Sequence, residues 1–257
     1  MRKEFIYFFF LFLAMKTTCQ TKTIHVFVAL CDNQFQGIVP VPTKLGNGKD
    51  PKNNLYWGAI YGVKSYFKRK SKDWVFKGVI PTRNNVIIER VLFKHAKKDI
   101  FLVADAYDGQ YIKKCTEDFL RASNHQNSEA ITFQNKQINI GGKANLLAYI
   151  GHDGLMDFNV DISYQKTSNL SKKDIIVLAC FSQDYFSDEI KKANANPILW
   201  TTNLMAPEAY TLEAAINNWS ENKPASIIKE SAAKAYHAYQ KCGMKGARNL
   251  FTYGFKN

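Results

Sequence analysis

A chain of 257 residues with 46% hydrophobic and 22% charged residues, 14 Gly and 7 Pro, has the composition of one or two folded domains. It excludes a disordered tail, a collagen-like fibre and a multi-span membrane protein. The charge is lopsided: 35 Lys and Arg against 22 Asp and Glu give +13, a balance that invites a nucleic-acid partner.

The first residues are Met1-Arg2-Lys3, followed by an apolar run from Phe5 to Met15 and then by Lys16-Thr17-Thr18-Cys19-Gln20. A basic start, a short apolar stretch and small polar residues describe a secretory signal. The run falls short of the roughly 20 residues a membrane-spanning helix needs. Cys19 closes the signal, either as the last residue before cleavage or as the lipid-carrying cysteine of an outer-surface lipoprotein. Lys16 stands where a lipobox usually has an apolar residue. The expected division is residues 1–19 as signal and 20–257 as one domain, exported to the periplasm, the surface or the medium, with no transmembrane span in the mature chain. Removing the signal takes away three of the 35 basic residues and one of the 22 acidic ones, which leaves +11. That charge is divided among short clusters such as Lys68-Arg69-Lys70, Lys97-Lys98 and Lys172-Lys173, which read as solvated edges of apolar segments. With no basic-aromatic RNA motif and no zinc-finger spacing, no nucleic-acid partner is expected.

Downstream, apolar runs recur at Val26–Leu30, Ile100–Ala104, Leu146–Ile150 and Ile175–Ala179, with a shorter one at Ile198–Trp200. Short runs rich in Val, Ile and Leu fit strands buried on both faces. Helical stripes alternate with them. Tyr56, Ile60, Val63 and Phe67 form one; Ile112, Cys115, Phe119 and Ala122 another; Phe186, Ile190 and Ala193 a third. Ala209, Leu212, Ile216 and Trp219 form a fourth, and Ile228, Ala232, Ala235, Tyr239 and Cys242 a last. Val75–Ile80 and Val86–Phe93 break the alternation as a strand pair. This order predicts an α/β three-layer sandwich, a mostly parallel sheet with helices on both faces. In such sheets ligands bind beyond the carboxyl ends of the strands, where the Gly-, Pro- and Asn-rich loop Asp32–Asn54 also leaves the first strand.

Two strand ends carry chemistry. Leu146–Ile150 runs into Gly151-His152-Asp153-Gly154, and Ile175–Ala179 runs into Cys180-Phe181-Ser182. If the two strands are neighbours, about 4.8 Å apart, a thiol and an imidazole emerge side by side, a nucleophile beside a base. Glycines next to His152 would let backbone N–H groups approach a reacting carbonyl. A helix starting near Tyr185 would turn its positive end toward a thiolate.

An apolar block ending in Gly-His followed by one ending in Ala-Cys resembles the caspase-like (clan CD) cysteine peptidases, which include caspases, metacaspases, gingipains, clostripain and legumain. Ala179-Cys180-Phe181-Ser182 is especially similar to the corresponding stretch of bacterial caspase-like domains. The resemblance is carried by residues 146–182, with the α/β order extending it weakly over 20–257. It implies a caspase-like sheet, a peptide or protein substrate, Cys180 as nucleophile, His152 as acid/base, and an oxyanion hole from backbone at Cys180 and at the glycines Gly151 and Gly154 that flank His152. Three positions depart from the family pattern. Asp153 precedes Gly154 where a glycine usually follows the His directly. Leu178 replaces an acid that helps select a basic residue before the scissile bond, and Gln183 replaces a glycine. Asp32, Asp105 and Asp108, all at strand ends, are the candidates to replace the missing acid. Trp200, Thr201, Thr202 and Asn203, after the next strand, are expected along the substrate cleft, with loop 32–54 on its other side.

Two further readings stand beside the peptidase: a catalytically silent relative acting as a binding or adaptor protein, and an unrelated α/β domain in which His152 and Cys180 are structural. Other patterns lead nowhere. Asp153, Asp157, Asn159 and Asp161 have the spacing of a calcium loop, but Ile162 and Ser168 occupy the positions that need Gly and Glu. His25 and His95 lack metal-ligand spacing. Gly141-Gly142 is followed by no Gly-Lys-Ser/Thr. No metal and no cofactor are expected, and Cys31, Cys115 and Cys242 read as free, buried thiols.

Overall fold

The structure, a computed structural model, describes residues 21–256. The expected signal at residues 1–19, with Cys19, lies outside them. The scattered apolar runs assemble into one eight-stranded sheet. Its centre is Lys22–Ala29 (β1), which pairs in parallel with Ile100–Tyr107 (β4) on one side and Leu146–Ile150 (β7) on the other. Asp174–Leu178 (β8) pairs in parallel with β7, and Asn196–Thr201 (β9) with β8. Trp74–Val79 (β2) and Ile87–His95 (β3) extend the β4 side as an antiparallel hairpin. Phe251–Thr252 (β10) closes the other edge antiparallel to β9.

Strand alternation sorts the core into two layers. Ile24, Val26 and Val28 of β1, Leu146, Ala148 and Ile150 of β7, and Ile176 and Leu178 of β8 face one side. There they meet Val63–Arg69 (α1), Ala209–Ser220 (α4), Ala225–Gln240 (α5) and Met244–Leu250 (α6). The intervening Phe27, Ala29, Leu147, Tyr149, Ile175 and Val177 face the other, against Ile112–Ser123 (α2) and Ser182–Lys192 (α3). Strands buried on both faces need this all-apolar composition, because neither side meets water. The result is the expected three-layer α/β arrangement with helices on both faces.

Several elements depart from the sequence reading. The stripe from Tyr56 to Phe67 becomes helix only from Val63. The preceding residues form tight turns, because the chain folds back on itself at Gly58 and Gly62. A Cβ at Gly58 would lie 2.1 Å from the Lys52 carbonyl oxygen, and one at Gly62 2.5 Å from the Trp57 backbone. β1 begins at Lys22, not Val26, with buried His25 interrupting its apolar run. A small separate hairpin, Glu129–Phe133 (β5) and Lys136–Ile140 (β6), was not expected. Its two-residue turn is Gln134-Asn135, both at positive φ (46° and 61°), a conformation that suits hairpins but is more often signalled by Asn-Gly. The short α6 and two-residue β10 were also missed. Among the described residues, no helix is long and apolar enough to cross a membrane.

Candidate active site

β7 and β8 are hydrogen-bonded neighbours, with Ile150 opposite Leu178, so His152 and Cys180 leave the sheet side by side, each two residues past that pair. Both line a cleft of about 300 Å3 at the carboxyl edge of the sheet. Loop residues Gly37, Ile38 and Val39 form one wall, and Leu204, Met205 and Pro207, after β9, form another. Tyr56, Gly151 and Met156 complete the lining.

Cys180 sits in a strand-to-helix turn that the surrounding structure fixes in place. Phe181, the residue between Cys180 and α3, is left-handed (φ 50°, ψ 29°), which for a non-glycine residue costs about 1–2 kcal/mol. Its N–H donates to the Asn203 carbonyl at 3.1 Å. Ser182, the first residue of α3, is buried and locked to β9. Its N–H donates to Thr201 Oγ1 at 3.2 Å, and its hydroxyl accepts the Thr201 N–H at 2.9 Å while donating to the Val177 carbonyl. The thiol faces Met205: Sγ accepts the Met205 N–H at 3.4 Å and is 3.7 Å from its carbonyl. Burial pushes the Cys180 thiol above its ordinary pKa, the Met205 N–H draws it back, and Asp153 pushes it further up. At neutral pH the group is therefore a thiol, and its nucleophilicity depends on a base to take the proton.

His152 is buried, and its Nε2 is 2.7 Å from Asp157 Oδ2. That same carboxylate oxygen accepts the Gly37 N–H at 3.0 Å. Asp157 thus ties the base to the loop that walls the cleft. Sequence reasoning considered Asp157 only as a calcium ligand. Its spacing carries no signal, because the bond is made across a turn that the sequence does not announce. The approach is close: a Cβ on Gly37 would lie 2.4 Å from Asp157 Oδ1. Loop 32–54 holds its shape through Asn54, fully buried, which accepts the Cys31 and Tyr56 N–H groups and donates to the Cys31 and Asn47 carbonyls.

Asp153 is fully buried. Its Oδ1 accepts the Leu155 N–H at 3.0 Å and so caps the short turn Gly154–Met156, while Oδ2 has no partner among the described residues. Burial, reinforced by the nearby Asp157, pushes this carboxyl up to about 7.

The backbone donors differ from expectation. Gly151 (φ +150°) lines the cleft, but its N–H is committed to the Leu178 carbonyl at 3.2 Å. Gly154 is buried against Phe158 and Ile112 and is not part of the lining. The backbone N–H groups of Cys180 and Asp153 make no hydrogen bond among the described residues.

None of the three candidate acids lies in the cleft. Asp32 accepts the Gln34 and Phe35 N–H groups and shapes the start of its loop. Asp108 caps the turn Gly109–Tyr111 through the Gln110 N–H. Asp105 is fully buried on the other face of the sheet, paired with Arg90 and His25. The post-β8 candidates are also reassigned. Trp200 is fully buried in the α2–α3 layer against Phe255, because alternation turns it away from the face of Leu199. Thr201 is fully buried and bonds Ser182 and the Ala179 carbonyl, so it holds the cysteine turn and cannot reach a substrate. Asn203 and Thr202 border a neighbouring depression with Cys242 and Tyr236. Leu204 belongs to both hollows. Cys31 and Cys115 are buried free thiols as expected, whereas Cys242 is exposed just past the end of α5.

Among the described residues, no group of three or more His, Cys, Asp or Glu side chains is arranged to hold a metal ion. Comparison with family models, curated proteins and solved structures finds no match to this chain.

Proposed function

We propose that the protein is an exported cysteine peptidase of caspase-like type, in which Cys180 attacks the scissile carbonyl and His152 moves the proton. One observation carries this reading: a cysteine and a histidine from the ends of adjacent parallel strands line one open cleft, with the histidine held by a third group, Asp157. A nucleophile, a base and a group that orients the base are the minimum for covalent hydrolysis.

The chemistry follows from the positions. Cys180 Sγ forms a bond to the carbonyl carbon as its proton passes to His152. The developing oxyanion is assigned to the N–H groups of Cys180 and Asp153, which have no other hydrogen-bond partner among the described residues. An amide donor needs no particular side chain, so Asp153 can stand where the caspase-like peptidases it resembles have glycine. The C–N bond breaks, His152 returns its proton to the leaving amine, and a thioester remains. Water then attacks the thioester, giving up a proton through His152 to the departing sulfur, which frees the carboxylic acid and restores the thiol. Asp157 stabilises the imidazolium formed in each half.

A second reading, a silent relative serving as a binding protein, is favoured by the thiol's own contacts: burial raises its pKa and its hydrogen bonds go to Met205. An electrophilic peptide probe separates the two. Labelling of the wild type that is lost in Cys180→Ala supports the peptidase. Equal labelling of both proteins rejects Cys180 as nucleophile.

A further inference from the structure

Apart from Cys180 and His152, the lining of the cleft around Cys180 offers no acidic or basic side chain. Every other side chain lining it is apolar or aromatic, and no Lys, Arg, Asp or Glu is among them. The Asp157 carboxylate is taken by His152 and the Gly37 N–H. Asp153 is sealed from solvent and raised to about 7. Asp32 and Asp108 cap local turns, and Asp105 is neutralised on the opposite face.

The apolar side chains stand open to water. Val39 is 88% exposed, Leu204 65% and Met156 40%, and all three ring the same cleft. These residues come from three segments, the loop after β1, the turn after His152 and the segment after β9, so no single local structure explains their convergence. At about 300 Å3 the cleft lies at the small end of ligand sites, room for one large side chain beside the backbone that carries it.

Resting on the proposed peptidase reading, we infer that the substrate residue whose carbonyl Cys180 attacks has a large apolar side chain of the Leu, Met or Phe class. A Lys or Arg there would be stripped of water with no carboxylate to receive it, and an Asp would meet no cation, both unfavourable. An apolar side chain instead covers Val39, Leu204 and Met156, removing apolar surface from water on both partners. The missing acid at Leu178 is then not replaced from elsewhere; the site selects by apolar contact.

The test uses peptidyl acyloxymethyl ketones that differ only in the residue next to the reactive group: Leu, Phe, Lys or Asp. The modified residue is identified by mass spectrometry, and iodoacetamide serves as a probe of thiol accessibility alone. The Leu and Phe probes are expected to label Cys180 at least about tenfold faster than the Lys and Asp probes, the scale on which apolar pockets discriminate. Leu204→Glu, at a solvent-exposed position, should shift the Lys-to-Leu rate ratio upward by about tenfold. Faster or equal labelling by Lys or Asp in the wild type overturns the apolar assignment while leaving the peptidase reading intact, as does an unchanged ratio in Leu204→Glu. Labelling by iodoacetamide but by none of the peptide probes overturns the peptidase reading and the inference with it.

Discussion

Two of the places where this protein buries ionisable side chains treat them in opposite ways. Beneath α2 and the β5–β6 hairpin, a hollow of about 230 Å3 is lined by His25, Arg90, Asp105, Lys114, Asp118, Asn127 and Glu129. Arg90 grips Asp105 with Nε and Nη2 at 2.6 and 2.7 Å and reaches Glu129 with Nη1. His25 Nδ1 accepts the Gly141 N–H, leaving Nε2 to face Asp105 at 3.0 Å. Burial opposes the charge on Asp105, yet His25 and Arg90 hold its carboxyl below the ordinary value. Tyr107, Lys114 and Asn127 all donate to Asp118. Each group has its partners, so this cluster is a clamp between the sheet, α2 and the hairpin. At the Cys180 cleft, burial raises both the Asp153 carboxyl and the thiol, one carboxylate oxygen has no partner, and the apolar rim is open. The Asp105 cluster is mutually satisfied, whereas hydrogen-bonding capacity is left unspent beside Cys180.

Substitutions at the two places should therefore separate stability from chemistry. Cys180→Ala has the largest expected effect, a loss of peptide hydrolysis on the order of 10⁴-fold or more with an unchanged melting temperature, since loss of a nucleophile abolishes the covalent route. Measurable hydrolysis at the wild-type rate would place the chemistry elsewhere. Asp105→Ala should do the reverse. It leaves Arg90 buried without its bidentate partner, so denaturant unfolding should show a loss of about 3–5 kcal/mol. The fraction still folded should label at Cys180 at nearly the wild-type rate. A large drop in labelling of folded protein would mean that the two regions are coupled.

Asp153→Asn probes the unsatisfied side through pH. The native carboxyl titrates near 7, whereas in the unfolded chain it titrates near 3.9. Between these values the native state holds a proton that the unfolded state has released, so wild-type stability falls as pH rises from about 4 to 7 and levels off above. Asn keeps an acceptor for the Leu155 N–H and has no such loss. The variant's advantage in melting temperature should be small near pH 4 and grow to pH 7, equivalent to about 4 kcal/mol at most. The Cys180 thiol should also titrate lower in the variant above pH 7, because the negative charge that raises it is gone. A constant difference across the pH range would show that Asp153 is already ionised in the folded state.

The same contrast explains what the sequence could disclose. Leu146–Ile150 and Ile175–Ala179 were legible because strands buried on both faces must be apolar throughout, and two such strands ending in His and Cys announce themselves. The β5–β6 hairpin, a separate two-stranded sheet, and β10, at the edge of the main sheet, are short and lack apolar runs, so they give little signal. Asp105 looked like a strand-end residue because the apolar run stops at Ala104, but β4 continues to Tyr107, and the face a side chain takes depends on which neighbours cover it. Trp200 and Thr201 were misread for the same reason. Asp157 was invisible as a partner of His152, since their bond depends on a turn capped by Asp153 and on a loop arriving from 120 residues away.

Asp157→Asn sharpens the comparison further. The amide oxygen can still accept from Gly37, but the imidazolium loses its anion, so kcat/KM should fall about 10- to 100-fold with little change in stability. An unchanged kcat/KM would remove Asp157 from the proton-transfer step.

The smallest effect is expected at Gly37. Its N–H binds Asp157 Oδ2, and its Cα stands where any added Cβ would lie 2.4 Å from Oδ1. In Gly37→Ala either the loop or the carboxylate must withdraw by several tenths of an ångström. The residue is exposed, so the fold can yield at little cost, and the melting temperature should move by no more than the equivalent of about 0.5 kcal/mol. The His152–Asp157 bond has less freedom, because the same oxygen serves both partners. A shift that lengthens it weakens the orientation of the base without removing the anion, so kcat/KM should drop only about three- to tenfold. Gly37→Ala added to Asp157→Asn should then lose less than the product of the two single losses, since both act through one bond. Full additivity would mean that the loop influences the cleft by a route other than Asp157.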